Sequence, residues 1–380
     1  MKKKRSQVAA QRFGKLVFGF LCFVLILNVV MPDKELSTRE NRPLQQFPEW
    51  SNEALLDGQY TKNIDTWFND QFVGRNFAVH VKYLVAKLAG NKDINDVFLT
   101  KQGLMEGTYE VNEEQLKRNI DAINAYCQSK QVRSGILLAP NAVSVQKEEL
   151  PNHADVKDQD PIIDSILSSL DPSISKIDVR SILKDHKDEY LYYKSDHHWT
   201  TDAAYYAFTE LAKSFELGDI NKDQYDIYPV HDDFKGTLAK KTGSVGIHDT
   251  ISIYVGKNDP DYVMTIEDTG TKTRSVYSKD SLHSANPYDV FLQGNHGQVQ
   301  IETTSESGRH LLLFKDSYAN SLIPFLLPYY RTITVIDPRY YYEDLSRVFD
   351  VNLITDVLFV YNANTFVQDT SIADLLEGTV

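Results

Sequence analysis

From residue 112 onward, short apolar runs of strand length alternate with amphipathic stretches of helix length, and this alternation restricts the fold more than any other feature of the chain. Over 112–130, Leu116, Ile120, Ile123 and Cys127 recur at the spacing that lines one helical face. The run 135–139 is short and apolar and stops at Pro140 and Asn141, as a buried strand does. Spacing then predicts a helix over 161–170, strands over 176–179 and 190–193, and a helix through 215 capped by Thr200 or Thr201. Further on come a strand at 310–314, a helix at 321–330, a strand at 332–336, a helix at 341–351 and a strand at 357–361. Such an order implies an α/β fold: a mostly parallel sheet with helices on both faces and ligands at the carboxyl ends of its strands. From about 218 to 300 the rhythm lapses into polar sequence with β-like runs such as 251–255, which reads as a β-rich insertion.

The N-terminus carries a different signal. Lys2, Lys3, Lys4, Arg5, Arg12 and Lys15 precede an apolar run over 16–31, with no acidic residue before Asp33. That run is at the short end for a spanning helix and the long end for a secretion signal, and no small-x-small cleavage pattern follows it. The expectation is an uncleaved, single-pass signal-anchor: a cytoplasmic basic tail (1–15), a transmembrane helix (16–32), a helical juxtamembrane segment (33–92) and an outer body (93–380). Cleavage is the alternative. In the juxtamembrane segment Ile64, Trp67, Phe68 and Phe72 lie at helical spacing and read as core, with Gly74-Arg75-Asn76 separating two helices.

Charge and cysteine content remove some functions. The formal net charge is −13, and setting aside the six basic residues of the tail leaves −19. A body this acidic repels nucleic acid. With Cys22 in the apolar run, Cys127 has no partner, so neither a disulfide framework nor a thiolate metal site is available. Cys127, at the end of its helical pattern, reads as a small buried residue.

Two motifs carry chemistry: Ser195-Asp196-His197-His198-Trp199-Thr200, and Lys315-Asp316-Ser317-Tyr318-Ala319-Asn320 after the 310–314 strand. A serine hydroxyl is a poor nucleophile until a base takes its proton, and an imidazole does this best when a carboxylate fixes its tautomer. Asp196, His198 and Ser317 supply those three parts. Asp196 and His198, two residues apart, can face one cleft, with His197 pointing elsewhere. On a strand-to-helix turn, the amides of Ser317 and Tyr318 could hold an oxyanion, helped by Asn141 or Asn362. The alternatives are a cap role for Ser317, a core histidine beside Trp199, and a metal held by Asp196, His197 and His198. Lys315 is a charge partner or a solvated strand end. Tyr192-Tyr193 and Tyr340-Tyr341-Tyr342 are sugar-stacking residues or, alternatively, core or surface tyrosines.

Asp196-His197-His198-Trp199 resembles the signature of the DHHW family of bacterial extracytoplasmic proteins. That family is similar to the polysaccharide O-acetylation proteins of the alginate type within the SGNH (GDSL-like) superfamily, which carry Asp-x-His-Trp first and Gly-Asp-Ser-Phe/Tyr later. The resemblance runs over about 98–366, with Lys-Asp-Ser-Tyr at 315–318; Lys315 stands where the family has Gly, and the insertion has no counterpart. It implies a circularly permuted SGNH-like fold and Asp196, His198 and Ser317 as a triad needing no cofactor or metal. It further implies a serine O-acyltransferase or esterase, acting by O-acetylation on a cell-surface or secreted polysaccharide. The acyl donor would come through a membrane-bound O-acyltransferase. A metal-dependent carbohydrate deacetylase and a non-catalytic glycan-binding scaffold of an export complex are the other readings.

Overall fold

A computed structural model describes residues 2–37, 42–345 and 353–378. The chain forms two compact units, Met1–Ala89 with Thr242–Ser244, and Gly90–Lys241 with Val245–Val380. In the first unit, helix α1 spans Lys2–Val30. Its stretch Gln11–Asn28 has a mean hydropathy of 1.4 and none of it is buried; among the described residues it alone is long and apolar enough to cross a membrane. Helices α2 (Gln59–Gln71) and α3 (Arg75–Leu88) follow. They are separated as expected, because Gly74 adopts φ 84, which side-chain-bearing residues avoid. The aromatics of α2 are not core: Phe68 is exposed and Trp67 only partly buried, its indole N–H donating to Asp33 Oδ2 at 2.6 Å.

The second unit is built on one eight-stranded sheet. In chain order the strands used below are β1 (Arg133–Ala139), β2 (Ile174–Ile177), β3 (Tyr225–Phe234), β4 (Asp249–Gly256), β5 (Tyr262–Ile266), β6 (Thr271–Thr273), β7 (Gln298–Thr303), β8 (His310–Lys315), β9 (Thr332–Ile336) and β10 (Asp356–Asn362). The order across the sheet is β6-β5-β7-β9-β8-β10-β1-β2, with β9 through β2 parallel and the three strands at the other edge antiparallel. Period-two alternation sends Leu311, Leu313, Leu358, Val360 and Leu137 to one face, against α6 (Thr201–Ser214). Leu312, Phe314, Val357, Phe359 and Ile136 go to the other, against α4 (Glu113–Lys130) and α5 (Asp160–Ser169). Both faces are covered, which is why these strands read as continuous apolar runs. The α/β expectation with helices on both faces holds.

The polar stretch is β-rich as expected: β5, β6 and β7 join the main sheet as its antiparallel edge, while β3 and β4 pair apart from it. Three details differ. Residues 190–193 form no strand, only a bridge from Tyr192 to Trp199. Residues 321–330 make tight 3-10 turns, Ser317–Ser321 and Ile323–Tyr329, because Pro324 and Pro328 lack the N–H an α-helix needs. Of the helix expected at 341–351, residues 341–345 are not α-helical and 346–351 lie outside the described residues.

Candidate active site

Ser317 sits just past β8, at the carboxyl edge of the parallel strands. The turn that presents it is fixed by Asp316, which is fully buried. One oxygen of Asp316 accepts the Tyr318 amide at 2.9 Å; the other accepts the Asn362 amide at the end of β10 at 2.8 Å, tying two adjacent strands to the turn. Every other residue over 311–327 is buried, and Ser317 alone meets solvent.

The imidazole of His198 stands against it. Ser317 Oγ is 2.8 Å from Nε2, and Nδ1 is 2.6 Å from Asp196 Oδ1. With the carboxylate accepting a hydrogen bond from Nδ1–H, Nε2 is left as acceptor for the serine hydroxyl. Burial pulls His198 down to about 4, reinforced by His197 and opposed by Asp196. Burial would raise Asp196, but His197, His198 and the Thr237 amide outweigh it and hold the carboxyl well below its ordinary range. At neutral pH the pair is therefore a neutral imidazole beside a carboxylate.

What positions these two residues comes from distant sequence. Asp196 Oδ2 accepts the Thr237 amide at 2.6 Å and the Thr237 hydroxyl at 3.0 Å. Gly236 must be glycine, since a Cβ there would lie 2.2 Å from Asp196 Cβ. The buried carboxylate of Asp249 accepts the amides of Lys194 and Ser195 at 2.8 and 2.7 Å, anchoring the turn that leads into Asp196. Tyr288 stacks on the His198 ring, with centroids 3.9 Å apart and planes 14° from parallel. Trp199 is fully buried, and its indole N–H donates to the Tyr318 carbonyl at 2.9 Å, joining the two motifs.

Several expected roles change. His197 does not point away: its ring lies 3.9 Å from that of His198, and Nδ1 donates to the Thr237 hydroxyl at 2.7 Å. His198 follows no strand. The Tyr318 amide is spent on Asp316. Asn362 Nδ2 is spent on the Ala139 carbonyl and Asn141 Oδ1, each at 3.1 Å, so neither it nor Tyr318 is a free oxyanion donor. Asn141 is fixed by Gln159, whose Oε1 accepts its amide at 2.9 Å and whose Nε2 donates to its Oδ1 at 2.8 Å. The Ser317 amide and Asn141 Nδ2 remain as the donors of that set. Lys315 is not solvated: it is buried on Asp337 at 3.1 Å and Asn295 at 2.8 Å, while Arg339 clasps both oxygens of Asp337 at 2.8 and 2.7 Å. Tyr192, Tyr193 and Tyr341 are core; Tyr340 and Tyr342 are exposed.

Asp196, His197 and His198 bring three ligand atoms within 4.8 Å of one another, enough to consider a metal ion. Yet both Asp196 oxygens and both His198 nitrogens already hold the hydrogen bonds above. A metal would have to displace that network.

The sequence matches the DHHW protein family over residues 40–122 and 118–336. No curated protein matches it. Among solved structures, a DHHW family protein from Eubacterium siraeum is similar at 22% identity and a TM-score of 0.65, over 76% of this chain and 97% of that one. Bacillus cereus PatB1, solved with a sulfonyl adduct, is similar at 18% identity and a TM-score of 0.62, over 73% and 97%. The O-acetyltransferase domain of Pseudomonas putida AlgJ has 13% identity and a TM-score of 0.46, over 74% and 98%.

Proposed function

The chain belongs to the DHHW family, and from that premise we propose that it is a serine-dependent O-acyltransferase or esterase that O-acetylates a cell-surface or secreted polysaccharide. The observation that carries this reading is the unbroken path from Ser317 Oγ through His198 to Asp196, at 2.8 and 2.6 Å. Ser317 attacks the acyl carbonyl as its proton passes to His198 Nε2, and the imidazolium returns that proton to the leaving group. A sugar hydroxyl then gives its proton to the same nitrogen, attacks the acyl-serine, and Ser317 Oγ recovers the proton as the ester leaves; water in place of the sugar gives hydrolysis. Asp196 holds the tautomer and faces the imidazolium. The Ser317 amide and Asn141 are the assigned oxyanion donors.

In the same proposal residues 1–15 are a cytoplasmic tail, 16–32 a single membrane span, 33–92 a helical juxtamembrane segment and 93–380 an extracytoplasmic catalytic domain of a bacterial cell membrane protein. Its acceptor is a polysaccharide, and its acyl donor is delivered by a membrane-bound O-acyltransferase. The apolar helix behind a basic tail supports the anchor.

The test is a sulfonyl fluoride, the more apt because the similar PatB1 structure carries a sulfonyl adduct. It should modify Ser317 and stop hydrolysis of an activated acetyl ester at the same stoichiometry. Dialysis against a strong chelator should leave that hydrolysis unchanged. Activity lost on chelation, restored by zinc and with Ser317 unmodified, would instead support the metal-dependent deacetylase. A protein that binds glycan but neither reacts nor hydrolyses is the scaffold.

A further inference from the structure

Helix α3 is apolar on two sides. Tyr83 and Ala86 are buried on one side. On another, Phe77, Val81, Leu84, Val85 and Leu88 share one stripe by their spacing, and all five are exposed, Phe77 at 74% and Leu88 at 88%. At 100° per residue Lys82 and Lys87 fall on the two borders of this stripe. So much apolar area on a short helix is unfavourable in water and marks a contact surface. The structure also says where that surface sits. Asn28, at the far end of α1 from the basic tail, accepts the Val73 amide through Oδ1 at 2.8 Å, two residues before α3 begins. Asp33, just beyond α1, holds Trp67 of α2. The start of α3 is thus fastened to the point where the apolar helix ends.

We propose that α3 is an interfacial helix, lying on the lipid surface from which α1 emerges, with its apolar stripe in the acyl boundary and Lys82 and Lys87 at the headgroups. This rests on the anchor reading above. An amphipathic helix with basic borders settles about 5–10 Å into that boundary, and α3 needs no search to find it, because its N-terminal end is held at the membrane by Asn28. The first unit then meets the bilayer twice, through α1 and through α3.

The full chain, with Cys22 and Cys127 changed to alanine, is placed in vesicles of phosphatidylethanolamine and phosphatidylglycerol and carries one nitroxide. The label goes at Leu84→Cys, at Asn76→Cys as a polar control, or at Ile26→Cys within the apolar helix. Relaxation by oxygen is compared with relaxation by a water-soluble nickel chelate. The expected result is a ratio favouring oxygen several-fold at 84 over 76, and high at 26. The variant Phe77→Glu/Leu88→Glu should return the ratio at 84 toward that at 76 while hydrolysis of a soluble ester is unchanged. An aqueous ratio at 84 with a lipid ratio at 26 overturns the proposal and leaves the anchor standing. An aqueous ratio at both overturns the two together. Dipolar broadening between labels at 84 would mean that a second copy, not lipid, covers the stripe, and would also overturn it.

Discussion

The two halves of the candidate site are built by different means. Ser317 is delivered by regular structure: β8 and β10 are parallel neighbours in register, and Asp316 closes the turn using the amide of Tyr318 in the turn and that of Asn362 at the end of β10. Asp196 and His198 sit on no helix or strand of the sheet. They are held by side chains and amides from residues 236–288, chiefly Thr237, Asp249 and Tyr288. The nucleophile side therefore draws its geometry from sheet packing, whereas the base side draws it from a few directed contacts. Damage to the two should look different: packing defects cost stability broadly, and contact defects cost alignment with little change in stability.

The largest effect tests whether the halves act together. Ser317→Ala and His198→Ala should each lower the hydrolytic rate by about a million-fold. The double variant should be no slower than either single one, since members of one proton path do not contribute additively. Additive losses would mean that the two residues serve separate steps.

A smaller, sharper contrast pairs one residue from each half. Gly236→Ala forces a methyl to within 2.2 Å of Asp196 Cβ, so the carboxylate must move. A shift of about 1 Å costs about 100-fold in rate, read as a fall in kcat of the folded protein. Leu313→Ala, in the core beneath the nucleophile, should do the reverse. It should lower stability by about 2–5 kcal/mol while kcat holds wherever the protein stays folded. If Leu313→Ala lowers kcat in the folded state and Gly236→Ala does not, the division between the halves is wrong.

The same division explains what could be read in the sequence. The strands beneath Ser317 were legible because burial on both faces leaves runs such as Leu311, Leu312, Leu313 and Phe314, which no solvent-facing segment tolerates. Asp196, His198 and Ser317 were legible as candidates because Asp, His and Ser suit one another chemically at any separation. Thr237, Asp249 and Tyr288 were not: a threonine, an aspartate and a tyrosine in a polar stretch carry no periodicity, and their value lies in contacts across 41, 54 and 90 positions of sequence. The misplacement of His197 has the same root. Two-residue alternation assumes an extended strand, and 190–198 bends instead around Asp249, which swings the His197 ring onto that of His198.

His197 gives the smallest and most discriminating effect. Its charge disfavours protonation of the neighbouring ring and so helps to hold His198 low. Only neutral His198 can accept the serine proton, so a lowered value extends the active range downward. In the parent protein the rate should stay level from neutral pH and fall as the pH drops toward about 4. Removing the neighbouring ring in His197→Ala lets His198 hold its proton to higher pH, so the acid limb should shift toward neutrality while the plateau falls only modestly. His197→Gln keeps a side chain able to donate to Thr237 but carries no charge, and it should shift the limb without lowering the plateau. A large fall in the plateau of His197→Ala at unchanged limb position would show that the ring acts by packing against His198. An unchanged profile in both variants would remove His197 from the site.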